Sequence, residues 1–524
     1  MTLIFLTGAV VLALEVLSSR IMTPYFGVSL YIWTGILSTT LSFLALGYYL
    51  GGHFTRRYDK ATITWIYFLL PILSATSIFV ACIFYPVLFP LLSQTDLIFG
   101  SFVASAVLLA LPLVCLSAMN PVLISLRRNQ SQVSDGDGGA GQVFFVSTVG
   151  SVAGVLATAF VIIPSSTNFN ALLWLALGLC ALTALFCSND SSLSRSQKFR
   201  LLGGALAVGL ASGAFIIEQD SYLKRLASSD KSDLKFEMAA EYSSVFGNIK
   251  VVEIRFPDEE TLPIKAYFQD GLLQNRTTLD NVSVSMYTYV LDRLAKIFVP
   301  QAKSALVLGL GAGIVPQDLK RRGLDVTVVD INPDAIKAAT EHFGFKPGAY
   351  DMRLQDARTF VRKCKQPFDV VVVDLYQGDS TPDYLLTAEF FSDLRRCIRN
   401  GGAVVMNAFF DDNDDEPNRR LLATVASAFG QVIEFHPSNT NAFVVGTTGT
   451  APTGMTVVPD NIPPPLVNVV RRTLEAGRII TPNALLGYPP VTDRHNVASV
   501  LNASAQMRRR SAIVKILSPR ILVN

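Results

Sequence analysis

Seven stretches within the first 217 residues leave the chain little choice of fold, because most of them hold the ~20 consecutive apolar residues that a helix needs to cross a bilayer. They run from Leu3 to Met22, Ile32 to Gly52, Ile63 to Phe84, Leu97 to Leu116, Ala140 to Ile163, Phe169 to Cys187 and Leu201 to Ile217. They account for a 524-residue chain that is 50% hydrophobic and only 16% charged. Its mean hydropathy of +0.39 is too high for an ordinary soluble enzyme. The last stretch is shorter and rich in Gly and Ala, so it is the one expected to pack without fully crossing. No basic region or small-residue cleavage site precedes the first stretch, so that helix is expected to stay rather than leave as a signal peptide.

Lysine and arginine placement sets the expected orientation. Arg56, Arg57 and Lys60, then Arg127 and Arg128, then Arg195, Lys198 and Arg200 follow the second, fourth and sixth stretches, whereas the loop from Pro164 to Asn168 is uncharged. This puts the N-terminus inside. Seven full crossings would export the C-terminal half, so either the seventh stretch does not cross or one crossing is counted too many. The expectation is an integral protein of a bacterial inner membrane with its C-terminal half in the cytosol.

Glu15 and, five residues later, Arg20 interrupt the first stretch. An ionisable group at that depth needs a partner or an aqueous cavity, and a structural contact and a substrate path both stay open. Gly150, Gly154 and Ala157 allow close helix packing. Cys82, Cys115, Cys180 and Cys187 fall in or beside apolar stretches, with Cys364 and Cys397 in the other half, and their spacing makes neither a disulfide framework nor a metal site. Four scattered histidines (His53, His342, His436, His495) argue against a His-based metal site, and no metal is expected. A net charge of only +3, without an aromatic-basic platform, argues against nucleic acid as a partner.

The polar run from Glu218 to Lys235 marks a boundary. It gives an expected division into a transmembrane domain (1–217), a linker (218–240), a catalytic domain (241–450) and an extension (451–524). Strand-like alternation at Asn248 to Ile254 and Ile264 to Gln269, a tight turn at Asp270-Gly271, and a helix from about Val282 to Phe298 open the second half. Then comes ALVLGLGAGIVPQDLKRRGLDVTVVD, from Ala305 to Asp330: an apolar strand, a turn through Gly309, Gly311 and Gly313, a helix, and a second strand ending in an acid. Such glycines let the backbone approach a ligand, and an acid at the next strand tip can accept hydrogen bonds from ribose hydroxyls.

Further on, Asp351 to Leu354 leads into Gln355-Asp356-Ala357, and the fully apolar run Phe368 to Val373 empties into Asp374. Strands at Gly401 to Asn407 and Ala442 to Gly446 follow. Strands alternating with helices predict a doubly wound α/β domain with its ligand at the C-terminal ends of the strands. Gly309 to Gly313, Asp330, Asp356 and Asp374 then share one rim. Asp330 and Asp356 have a second possible duty as helix caps. Asp374 has few structural ones.

With these pieces in order, the segment Glu241 to Gly446 resembles the spermidine synthase (polyamine aminopropyltransferase) family. The resemblance rests on YSSVFGNIKVVE from Tyr242, FQDGLLQ at Phe268 to Gln274, LVLGLGAG at Leu306 to Gly313, VVDINPDAI at Val328 to Ile336, QDARTF at Gln355 to Phe360, and FDVVVVDLYQGDSTPDYLLTAEFF at Phe368 to Phe391. LEVLSSRIMTPYFG at Leu14 to Gly27 and GYYLGGHFTRR at Gly47 to Arg57 look like the multispan region fused to such domains in some bacterial members. The resemblance implies a Rossmann-like domain of the class I methyltransferase and spermidine synthase type. It implies that Gly309, Gly311 and Gly313 face a thioadenosine, that Asp330, with Ile331 beside it, holds the ribose, that Asp356 and Ala357 meet the adenine, that Gln274 lies near the ligand, and that Asp374 is the catalytic acid.

Departures from the family pattern leave the substrates open. Ala312 stands where the family has the acid that holds the donor's amine; the acid after Asp374 is displaced to Asp379; and no clear Tyr-x-Glu element occurs within Val282 to Tyr289. A doubly charged diamine needs such acids. The donor implied is S-adenosylmethionine or its decarboxylated form, with Ala312 favouring the intact molecule, and the acceptor is a polyamine, another amine or a nucleophile within the donor. Asp374 would be the base, with Tyr376 and Asp379 orienting the acceptor. Methyl transfer, and a transporter or sensor that binds the nucleoside without turnover, are the competing readings. Thr492-Asp493-Arg494 looks like a late family segment, the basic end (Arg508, Arg509, Arg510, Lys515, Arg520) is expected on anionic lipid or in solvent, and a homodimer is possible.

Overall fold

Each of the seven apolar stretches is helical in the computed structural model, which describes residues 1–28, 30–128, 139–228, 234–258, 260–378, 381–410, 414–436, 441–452 and 461–523. The chain divides into two compact units, Met1–Lys231 with Met507–Asn524, and Ser232–Gln506. The helical unit contains α1 (Thr2–Phe26), α2 (Leu30–Arg57), α3 (Lys60–Leu92), α4 (Leu97–Arg128), α5 (Ala140–Ser165), α6 (Asn168–Asn189) and α7 (Arg195–Ser228). Among the described residues, six helices are long and apolar enough to cross a membrane.

The seventh stretch is not a short helix. The stretch Leu201 to Ile217 lies inside the 34 residues of α7, which counts among the six. Helix α2 is not among the six counted over the described residues, although the stretch Leu30 to Gly47 with which it begins is apolar and uncharged. The polar segment after residue 217 is not an open linker either. Helix α7 continues through it to Ser228, held by the Tyr222 hydroxyl donating to the Ile83 carbonyl and by the buried Leu223.

Helices α1 and α5 pack backbone to backbone. A Cβ on Gly150 would stand 2.0 Å from the Phe5 carbonyl oxygen, and one on Gly154 would stand 2.2 Å from that of Ala9. The Ser151 hydroxyl donates to the Gly8 carbonyl at 2.9 Å. Glu15 is half-buried on α1. Five residues of helix set Arg20 roughly 140° round the axis from it, so the two do not share a face. At the far end of the chain the basic residues divide, with Arg508 and Lys515 exposed and Arg510 buried. Helix α15 (Ala498–Val514) carries a fully buried Arg510, and the short α16 (Pro519–Leu522) buries Ile521 and Leu522.

The second unit holds two sheets. The smaller is an antiparallel meander of β1 (Lys235–Ser244), β2 (Gly247–Arg255), β3 (Ile264–Gln269) and β4 (Leu272–Thr278), in that order. Its β3–β4 turn uses Asp270 and Gly271, both at positive φ (49° and 77°), as a two-residue hairpin of the right twist requires. Strand β1 starts within the segment expected to be linker.

The larger sheet contains β5 (Ser304–Leu308), β6 (Asp325–Asp330), β7 (Asp351–Leu354), β8 (Phe368–Val373), β9 (Ile398–Phe409), β10 (Gln431–Phe435), β11 (Asn441–Thr447) and β12 (Gly477–Ile479). Its order is β12-β10-β11-β9-β8-β5-β6-β7, with β7 through β9 parallel and the last three strands antiparallel. Strand β12, from the expected extension, closes one edge. Val307, Val328, Val370 and Val405 pack one face against helix α8 (Met286–Phe298), while Leu306, Val371 and Val404 pack the other against α12 (Ala388–Arg396). The order reverses between β5 and β8, which is where an open α/β sheet leaves a crevice.

The α1–α5 contact gives a test of the helical unit. Gly154→Leu should lower the thermal midpoint of the detergent-solubilised protein, by the roughly 1–3 kcal/mol typical of overpacking. An unchanged midpoint would contradict backbone contact there.

Candidate active site

Four strand ends meet at the crevice, and each delivers one of the residues singled out in the sequence. Strand β5 runs into Gly309, β6 ends on Asp330, β7 leads to Gln355 and Asp356, and β8 runs into Asp374. A cavity of about 470 Å³ opens there, a size suited to a nucleoside-bearing ligand. Its wall includes Gly309, Gly311, Asp330, Ile331, Asp356, Ala357, Asp374, Tyr376 and Gln274.

The three glycines divide their duties. Gly309, at φ +93°, would put a Cβ 2.1 Å from the carbonyl oxygen of Asp374, so only glycine lets the ends of β5 and β8 lie this close. Gly311, at φ +52°, has nothing within 4 Å of that position and leaves the cavity open. Gly313 does not line the cavity. It precedes helix α9 (Ile314–Arg321) at φ +75°, and a Cβ there would meet the Phe345 ring at 3.0 Å, so its smallness serves helix packing.

Asp330 ties the turn to the next loop. Its carboxylate accepts from the Leu310 amide and the Asn332 amide, each at 2.7 Å, and burial nonetheless holds its pKa above the usual carboxylate value. The capping duty that Asp330 could have had falls to Asn332, whose side chain accepts from the Asp334 amide at the start of α10 (Pro333–His342). Asp356 does both jobs. One oxygen caps α11 (Ala357–Arg362) through the Thr359 amide at 2.7 Å, and the other accepts from the Tyr384 hydroxyl at 2.8 Å at the cavity wall.

Asp374 is the most perturbed acid of the site. Burial pushes its pKa up to about 6, and the Asn407 side-chain amide, donating to Oδ1 at 2.8 Å, pulls part of the way back. Above it, Tyr287 near the start of α8 accepts from the Asn275 side chain at 2.9 Å. Burial drives the Tyr287 pKa far up, and the charge of Asp374 adds to this. Tyr376 packs edge-on against Phe409 with ring centroids 5.0 Å apart. Gln274 donates to the Gly378 carbonyl at 2.7 Å and so holds the loop after β8. Asp379 lies outside the described residues.

Tyr287, Tyr384, Asn407 and Asn441 line the cavity without having been singled out in the sequence. Tyr287 sits inside the segment searched for a Tyr-x-Glu element; the tyrosine is there, with Tyr289 two places on instead of an acid. The asparagines gave no signal, since each lies within or beside an apolar strand and its partner is distant in sequence. Ala312 is only 2% exposed and packs with Tyr242, Ile249, Val251 and Tyr267, an apolar corner. The late Asp493 pairs with Arg358 of α11.

Residues 284–446 match the family model described as the spermine/spermidine synthase domain. A probable polyamine aminopropyl transferase of Bifidobacterium longum is 29% identical over 196 residues, covering 37% of this chain and 42% of that protein. A polyamine aminopropyltransferase of Vibrio vulnificus is 29% identical over 159 residues, 28% of this chain and 51% of the relative. An N-terminal histidine N-methyltransferase of Emericella nidulans is 35% identical over 117 residues, 21% of each chain. The chain thus spans about half or less of these relatives. The crystal structure of a probable spermidine synthase from Corynebacterium glutamicum aligns with a TM-score of 0.40 and 19% identity, over 49% of this chain and 97% of that one.

The contact at Gly309 is directly testable. Gly323 has a similar φ (+88°) with nothing within 4 Å, so Gly323→Ala should cost about 1–2 kcal/mol for backbone strain alone. Gly309→Ala should cost distinctly more in thermal or denaturant unfolding of the full chain. Equal costs would show that the two strand ends do not touch as described.

Proposed function

We propose, from the premise that the α/β unit belongs to the spermine/spermidine synthase family, that the protein is a membrane-anchored transferase that moves an alkyl group from an adenosyl sulfonium to an amine. The observation that carries this reading is a half-buried carboxylate, its pKa raised to about 6, at the switch point of the sheet against the glycine turn. The amine attacks the carbon beside the sulfonium, that carbon–sulfur bond breaks, and its electron pair returns to sulfur as the neutral thioether methylthioadenosine. The amine's proton passes to Asp374.

Each residue has a task in this reaction. Asp330 keeps lone pairs for ribose hydroxyls after taking two backbone amides, Ile331 and Ala357 flank the adenine, and Asp356 meets its edge beside Tyr384. An ionised Asp374 offsets the sulfonium charge before it accepts the proton. Tyr376 and Tyr287 border the acceptor, with Asp379 assigned there from sequence alone. The absence of an acid at Ala312, where the family pattern has one for the donor's amine, supports S-adenosylmethionine over its decarboxylated form.

The similarity to a histidine N-methyltransferase favours a second reading, methyl transfer, in which the thioether product is S-adenosylhomocysteine.

Purified protein incubated with each donor, with and without putrescine, should release methylthioadenosine, identified by mass spectrometry. Asp374→Asn should reduce turnover roughly 10²–10⁴-fold while leaving methylthioadenosine binding intact. Because the base must be ionised, kcat should fall as pH drops through about 6. Release of S-adenosylhomocysteine would establish methyl transfer, and nucleoside binding without any thioether product would establish a sensor or transporter.

A further inference from the structure

The base assigned to the reaction is held by a chain of two amides that nothing in the reaction itself requires. Asn407 lies in β9, level with Asp374, since Val373 of β8 is paired with Met406. Its Nδ2 donates to Asp374 Oδ1 at 2.8 Å, and its Oδ1 accepts from Asn441 Nδ2 at 2.9 Å. Asn441 is the first residue of β11, whose register sets it opposite Phe409, two residues along the same face from Asn407. Three neighbouring strands are linked across one face. Asn407 is 3% exposed, and Asp374 Oδ2 takes no hydrogen bond from any described residue.

We propose that Asn407 and Asn441 are positioning residues: Asn441 fixes which way the Asn407 amide points, and Asn407 in turn fixes one oxygen of Asp374 so that the other faces the reacting amine. This deepens the transferase reading and rests on it for the identity of the amine. The chemistry of the amide explains the choice. A buried cation in place of Asn407 would depress the acid and make it a poor base, whereas a neutral donor orients the carboxylate without removing its basicity. An amide can also be wrong by half a turn. Flipped, Asn407 would aim its oxygen at Asp374 and oppose ionisation. The donor on Asn441 rules that orientation out, because it demands an oxygen on its side.

The other titratable groups on the cavity wall are Tyr287 on α8, Tyr376 on the following loop, Tyr267 on β3, Arg276 on β4, and Asp330, Asp356 and Tyr384 at the nucleoside end. Of these, Tyr287 is the one whose ionisation couples to Asp374, and it stays protonated throughout the useful pH range. Asp330, whose pKa burial also raises, acts on the ribose that S-adenosylmethionine and methylthioadenosine share and so cancels from the ratio of their affinities, which leaves Asp374 as the acid that this ratio reports.

Two readouts test the tether. The first is the acidic limb of kcat. The second needs no turnover: the ratio of affinities for S-adenosylmethionine, a sulfonium, and methylthioadenosine, a neutral thioether, between pH 5 and 7, which rises as the acid ionises. The Asn407 bond favours the ionised acid, so Asn407→Leu should move both inflections up by about one pH unit, the scale of a lost hydrogen bond to a charged group. Asn441→Asp, which presents an acceptor and forces the flip, should also move them up although it does not touch Asp374. Asn441→Leu, which merely frees the amide, should move them less, in the same direction.

Inflections that stay put in Asn407→Leu, or a loss of turnover uniform across pH in all three variants, would overturn the tether and leave the transferase reading standing. Shifted binding inflections in a protein that turns over no donor would support the tether and remove the transferase reading. A wild-type protein that binds neither ligand would remove both.

Discussion

The close approach of two strand ends organises the α/β unit. Where β5 turns at Gly309 and β8 gives way to Asp374, the backbones are near enough that a single methyl group would collide with a carbonyl oxygen at 2.1 Å. One contact does two things. It brings the glycine turn against the acid, and it fixes where the chain of that acid, whose pKa desolvation lifts to about 6, leaves the sheet. In the proposed reaction neither a cradle nor a base would serve without the other, and the distance between them is set by a residue with no side chain.

Much of this rim is legible in the sequence because it follows from local patterns. Apolar runs ending in Asp330 and Asp374 are strands ending in acids, and the doubly wound rule alone gathers their C-terminal ends. Glycine spacing was a coarser guide. It named Gly309, Gly311 and Gly313 alike, yet Gly313 answers to the Phe345 ring behind the cavity. What could not be read was whatever depends on pairing across the sheet. Asn407 and Asn441 are 34 residues apart and meet through the register of β9 and β11. Tyr287 and Asn275 meet through the packing of a helix start on the small hairpin.

The helical half illustrates the same limit in another form. Length and apolarity read seven helices in the sequence, but not their ends: polar flanks extend α7 on both sides of a short apolar run. Tail residues rich in arginine read as solvated or lipid-bound, whereas Arg510 is fully buried. Charge counts in a sequence describe composition, not burial. Aliphatic neighbours such as Ile513, Ile521 and Leu522 decide where such a segment goes.

The central claim is that the acid closing β8 stands beside the sulfur of an adenosyl ligand seated on the glycine turn. A structure of the protein with methylthioadenosine bound measures this directly, as the distance from the ligand sulfur to the nearer carboxylate oxygen of Asp374. The account predicts the ribose hydroxyls on Asp330 and a sulfur within about 4–6 Å of that oxygen, the range over which a carboxylate and a sulfonium stabilise each other. A ligand bound elsewhere, or a sulfur well beyond that reach with Asp374 turned toward the packed strands, would contradict it.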